Sequence, residues 1–127
     1  AEIGPYPDGG SNPVVGLGNV LLSPSGTVQA VALDDGVLMF HAMLEGLEPN
    51  CVKCGVHIHE GVESCDDADG IGDHWFETLE TVDRIDPWAT EKSTYSTDDS
   101  GKADHRFYVY NGYDYEDNLD HVIVVHG

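Results

Sequence analysis

The stretch Val37 to Glu45 constrains the fold more than any other part of this 127-residue chain. Side chains of a strand alternate between faces, so Leu38, Phe40, Ala42 and Leu44 fall on one side and Val37, Met39, His41 and Met43 on the other. Asp34-Asp35-Gly36 precedes the run and contains Asp-Gly, a favoured tight-turn pair. Thr27 to Leu33 is therefore expected to pair with it as a hairpin. Val14 to Leu22, set off by Ser23-Pro24-Ser25-Gly26, completes a three-stranded meander.

The remainder of the chain continues in the same style. Residues 1–13 carry Pro5, Pro7, Gly9, Gly10 and Pro13 and read as an irregular lead-in. Leu47-Glu48-Pro49-Asn50 breaks the pattern before Cys51-Val52-Lys53-Cys54 and a fourth strand, Gly55-Val56-His57-Ile58-His59-Glu60. From Gly61 to Lys92 neither period is sustained, although Trp75, Phe76 and Trp88 argue for an ordered loop packed on the body of the domain. A short helix over Phe76 to Asp83 is the one helical expectation. Ser93 to Thr97 and Ala103 to Tyr110 flank Asp98-Asp99-Ser100-Gly101 as a further hairpin, and Leu119 to His126 forms the last strand after Asn111-Gly112. About seven short, antiparallel strands with one long loop predict an all-β chain with a single domain over 14–127, a β-sandwich or Greek-key barrel.

Composition excludes several functions. The formal net charge is −19, from 24 acidic and 5 basic residues, which disfavours nucleic acid and anionic membranes as partners and attracts cations. No apolar run approaches the roughly 18 residues needed to span a bilayer. The chain opens Ala1-Glu2-Ile3, which fits either a removed signal peptide or a module of a longer protein. Three cysteines in a small acidic β domain point to an oxidising compartment with one disulfide and an odd thiol, while Cys51-x-x-Cys54 also fits zinc.

Histidine carries the chemistry. On a strand, His57 and His59 share a face with Cβ atoms roughly 6–7 Å apart, which is chelating distance. His74 follows a loop rich in Gly and Asp, and His126 ends the last strand. Clustered imidazoles suit copper, zinc, nickel or iron rather than calcium or magnesium. His41, His105 and His121 sit where packed, edge or surface histidines are expected.

The pattern Gly-Val-His57-Ile-His59-Glu, a cysteine in the next loop, His74 seventeen residues after His57, the turn leading into Gly101-Lys-Ala-Asp104 and the terminal Val-Val-His126 resembles the copper/zinc superoxide dismutase family over roughly residues 15 to 127. The strings His-Ile-His-Glu-Gly, Ser64-Cys65-Asp66-Asp67, Gly72-Asp73-His74-Trp75 and Asp86-Pro87-Trp88 look most like its copper-only repeat modules, which are extracellular domains often found in tandem. The resemblance implies a Greek-key β-sandwich with one copper held by His57, His59, His74 and His126, and neighbouring repeat modules as partners. It also implies dismutation of superoxide by alternating one-electron chemistry, with His74 as the catalytic residue that changes its proton.

The departures from the family are equally informative. No histidine lies between His74 and Ser93, so no zinc site is expected. Glu91 falls near the family's acidic zinc ligand and is expected to hydrogen-bond His74 in zinc's place, with Asp86 and Asp83 as rivals. No residue matches the family's anion-attracting arginine, and the cysteine that normally ties down the loop cysteine is missing. Cys65 must then pair with Cys54 or Cys51 or remain free, and Cys54–Cys65 would brace the loop beside the ligand strand.

Other readings compete. Charge of this sign repels superoxide, which favours a copper-storing, buffering or matrix module. Cys51, Cys54 and Cys65 with His57 or His59 could form a zinc knuckle. Asp66-Asp67-Ala68-Asp69-Gly70 lacks the alternating ligands and closing Glu of a calcium loop. The pairs Tyr108/Tyr110 and Tyr113/Tyr115 are expected in core or edge packing.

Overall fold

Alternating burial along β-branched and aromatic runs produces two small sheets. The computed structural model describes residues 1–3, 22–62, 68–78 and 85–127. Among these the strands are β1 (Ser25–Ala32), β2 (Val37–Glu45), β3 (Cys54–Val62), β4 (Thr94–Tyr95), β5 (Ala103–Tyr110) and β6 (His121–Val125). All pairing is antiparallel, in the orders β1-β2-β5 and β4-β3-β6. The chain is thus all-β, with six described strands rather than about seven. The strand expected at Val14 to Leu22 lies outside the described residues, except for Leu22, which is in no strand.

The inward faces of both sheets share one core. Leu38, Phe40, Ala42 and Leu44 of β2 are buried as their alternation requires, beside Val28, Phe107 and Val109. Cys54, Val56, Ile58, Tyr95 and Trp88 meet them from the other side. Phe40 stacks on Phe107 at 5.0 Å and meets the edge of Trp88 at 5.9 Å. The outer face of the first sheet leaves Tyr108 and Tyr110 exposed, so that tyrosine pair is an edge-strand feature and not a core one.

Three local expectations change. Ala1–Ile3 is not irregular: Ile3 N–H donates to Gly26 O (3.0 Å), and Val28 N–H to Ala1 O (3.0 Å), so these residues extend the β1 edge. They precede the first Gly and Pro, and their amides are free to pair. Asp98 to Gly101 is a corner between sheets and not a hairpin, because β4 pairs with β3 whereas β5 pairs with β2. The Asp98 carboxylate accepts from the amides of Ser100 and Lys102, both at 2.9 Å, and these bonds hold its pKa below the usual value. Gly101 adopts φ +76°, and a Cβ there would collide with the Leu47 carbonyl, so only glycine lets the corner dock on the 47–50 segment. Finally, Phe76–Thr78 are not helical, and the rest of the helix expected to Asp83 lies outside the described residues.

The disulfide also differs. Cys51 is bonded to Cys54, with Cα atoms 6.1 Å apart. That separation is within disulfide reach, and Lys53 at φ +59° turns the chain tightly enough to bring the two together. Cys54 is therefore not available to Cys65, which itself lies outside the described residues. The same bond removes Cys51 and Cys54 from the zinc-knuckle set, since a disulfide sulfur is no thiolate ligand.

Candidate metal centre

β3 presents its two faces to different environments. Val56 and Ile58 point into the core, which forces His57 and His59 to the opposite face. One edge of β3 is taken by β6, through pairs from Val56↔Val125 to Val62↔His121. On the other edge, Val56 N–H donates to Ser93 O (2.9 Å), Trp75 N–H to Ile58 O (2.8 Å), Glu60 N–H to Asp73 O (2.9 Å) and Gly61 N–H to Ile71 O (2.7 Å). The 71–75 segment of the long loop thus runs along β3, and it lays His74 beside His59 in a bridge.

This brings three imidazoles together. His57, His59 and His74 each offer a ring nitrogen within 4.8 Å of the others, the one such group among the described residues. The ring of His74 lies 4.5 Å from that of His57 and 4.9 Å from that of His59. His126 sits one residue past β6, its ring 4.7 Å from His57 and 6.0 Å from His59. Gly55 makes the crowding tolerable, because a Cβ there would lie 2.6 Å from His57 Nε2 and 3.5 Å from His126 Cδ2.

Hydrogen bonds fix which nitrogens face inward. His59 Nδ1–H donates to Gly72 O (2.9 Å), so its acceptor lone pair is on Nε2. His74 Nδ1–H donates to Asp86 Oδ2 (2.6 Å), which likewise leaves Nε2 as the acceptor. His57 Nδ1 and His59 Nε2 are buried and have no hydrogen-bond partner among the described residues. A buried polar atom without a partner costs about 1–3 kcal/mol, and two such atoms beside a third imidazole form a group that could hold a metal ion. An all-imidazole set of this kind suits copper, zinc, nickel or iron.

The carboxylate behind His74 is Asp86. Its Oδ1 accepts from Trp88 N–H (2.8 Å), capping the short 3-10 turn Pro87–Ala89, while Oδ2 takes His74. The sequence signal for this arrangement was an Asp at an N-cap followed by Pro at the first turn position. Glu91 does not reach His74: its carboxylate is 2.6 Å from Lys53 Nζ, on the surface. The rival Asp83 lies outside the described residues. A partner of this kind typically contributes 10–100-fold to metal affinity. Asp86→Asn keeps the cap acceptor but loses the charge, so metal affinity should fall by about that factor with little change in unfolding midpoint, as measured by chelator competition beside urea titration.

Other histidines divide as support and surface. His121 Nδ1–H donates to His59 O (3.0 Å), and its ring stacks on Trp75 at 4.1 Å. Trp75 also stacks on Tyr113 at 4.5 Å, so the aromatic row clamps the residue next to His74. Trp88 Nε1–H donates to Trp75 O (2.8 Å) beneath it. His41 pairs with Asp104 (2.7 Å) on the outer face of the first sheet, and His105 is exposed.

Burial lowers the basicity of His57 and His126. Desolvation, then the neighbouring rings of His126, His74 and His59, hold His57 down at about 4, against the opposing pull of Asp86. His126 is lowered by desolvation and by His59 and His74. In the metal-free protein the unfolded chain then takes up protons below about 6.5 that the folded chain refuses. The stability carried by His57 is complete above that value and is lost as pH falls from 6.5 towards 4. Unfolding free energies of the metal-free protein from urea titration at pH 7.5 and 5 should differ by about 1 kcal/mol from this source, once solvent screening of a partly exposed ring is allowed for. His57→Gln should flatten that slope.

Compared with known proteins, the chain matches no family model and no curated protein.

Proposed function

We propose that this domain binds one copper through His57, His59 and His74, with His126 as fourth ligand, and that it is a copper-only superoxide dismutase-like module of the Greek-key β-sandwich type. The observation that carries the proposal is the buried, unpartnered pair His57 Nδ1 and His59 Nε2 beside His74. The resemblance of the histidine spacing to the copper/zinc superoxide dismutase family selects copper among the imidazole-binding metals. The order of the two sheets, with the chain crossing between them after β2, β4 and β5, supports the fold.

A bound copper would supply one-electron exchange between Cu(II) and Cu(I), the chemistry by which two superoxide anions and two protons become dioxygen and hydrogen peroxide. The chain's own residues do the rest. Gly72 O and Asp86 hold the Nδ1 protons of His59 and His74, which keeps both Nε2 atoms aimed at the same point. His74 is the proposed catalytic residue, because Asp86 keeps its ring in place while Nε2 can hold a proton for the departing peroxide. Asp86 takes the Nδ1 proton of His74, so this imidazole would offer a metal its Nε2. The Cys51–Cys54 disulfide supports a secreted, extracellular location.

A second reading, a copper-storing or matrix module with little turnover, draws on the net charge of −19. Such a field repels superoxide and concentrates copper ions. Pulse radiolysis of the copper-loaded protein separates the two. Dismutation should run far faster than with chelated copper and should accelerate as salt screens the repulsion. A rate no faster than that of chelated copper leaves only the storage module.

A further inference from the structure

His126 lies one residue beyond the last rung of β6, Val56↔Val125, a position where backbone ordinarily frays. Here both of its backbone polar groups are taken. Its N–H donates to Gly55 O (2.8 Å), and its carbonyl accepts from the Tyr95 hydroxyl (2.6 Å). Tyr95 belongs to β4 and pairs with Cys54, whereas β6 lies on the opposite edge of β3. The phenol must therefore reach across the width of β3 to hold the end of β6.

We infer that Tyr95 is a positioning residue of the metal centre, its hydroxyl fixing the His126 backbone so that the imidazole stays beside His57. The role rests on the reading of His126 as the fourth ligand. Tyr95 is 1 % exposed, and a phenylalanine would fill the same space in the core. What the hydroxyl adds is a donor at one place, the His126 carbonyl. A buried tyrosine hydroxyl needs such a partner, and a rigid ring with two side-chain torsions delivers it at low entropic cost. Burial raises the Tyr95 pKa to about 12, so the group remains a donor throughout the working range. On the other side, the Gly55 carbonyl accepts the His126 N–H, and the missing side chain of Gly55 leaves room for the His57 ring, whose Nε2 would lie 2.6 Å from a Cβ there. The ligand is thus held by its main chain, which leaves its ring nitrogens to the metal.

The test compares Tyr95→Phe, His126→Ala and the double variant, each loaded with copper, by paramagnetic resonance of Cu(II) and by chelator competition. His126→Ala should remove one nitrogen from the ligand hyperfine pattern. Tyr95→Phe should shift the same pattern and lower affinity about 10-fold, the scale for a residue acting on a ligand. The double variant should lose no more than His126→Ala alone, because the two act as a unit. An unchanged spectrum in His126→Ala removes the fourth ligand, and Tyr95's role with it. A changed spectrum in His126→Ala beside wild-type spectrum and affinity in Tyr95→Phe overturns the role of Tyr95 alone. Should Tyr95→Phe fail to fold, proton exchange of the Tyr95 hydroxyl in the wild-type protein decides. Loading with diamagnetic Cu(I) should slow it about 10-fold by reciprocal coupling, and an unchanged rate overturns the inference.

Discussion

His59→Ala should abolish stoichiometric metal binding while leaving a folded chain. His59 contributes a buried Nε2 with no other partner, and its Nδ1 is already committed to Gly72 O. Replacing a residue that only orients a ligand costs about 10–100-fold in affinity, so loss of a ligand should exceed about 100-fold. Removing one buried unpartnered nitrogen also relieves a desolvation cost in the metal-free protein. The metal-free variant should therefore be at least as stable as the metal-free wild type, while the metal-loaded wild type alone gains stability on adding metal. Elemental analysis after dialysis, with urea titration of both proteins, checks both halves. A variant that keeps one metal per chain would show that the ligands lie elsewhere.

Trp88→Ala should have the largest effect on stability. Trp88 is 1 % exposed and fills the space between Phe40, at 5.9 Å, and His57, at 6.3 Å. Truncating a buried tryptophan costs about 3–5 kcal/mol, a large part of the 5–15 kcal/mol typical of a domain. The indole also donates to Trp75 O, beside His74, so the loss reaches the site even though alanine keeps the N–H that Asp86 accepts. The variant should unfold at markedly lower urea and bind metal more weakly than wild type. Trp88→Phe should recover most of the packing but leave the Trp75 carbonyl without its donor, giving an intermediate midpoint. Equal midpoints for Trp88→Ala and wild type would contradict the joint between core and site.

What could be read in the sequence was whatever local pattern decides. Val37 to Glu45 and Ala103 to Tyr110 appear as strands over those same residues, because an unbroken period of two between turn signals leaves little freedom. His57 and His59 share a face for the same reason, and His74 joins them. Where two structures use the same local chemistry, the sequence misleads. Asp98 to Gly101 has the residues of a hairpin turn, yet it crosses between sheets because Leu47 and Asn50 take its carbonyls. Glu91 and Asp86 are both acids before the β4 strand; the bond to His74 goes to Asp86, which the Pro87–Ala89 turn holds at the right height. Tyr95 gave no signal, since its partner is a main-chain carbonyl 31 residues away on a strand with which it does not pair.

Three imidazoles on β3 and the 71–75 segment, joined by His126, are proposed to form one metal centre. The most direct measurement is the paramagnetic resonance spectrum of the protein loaded with one equivalent of Cu(II), with copper counted by elemental analysis. One copper per chain is expected, with hyperfine structure from four imidazole nitrogens that is lost together with the bound copper in His59→Ala. Substoichiometric copper, or a spectrum of oxygen ligands unaffected by His59→Ala, would contradict it.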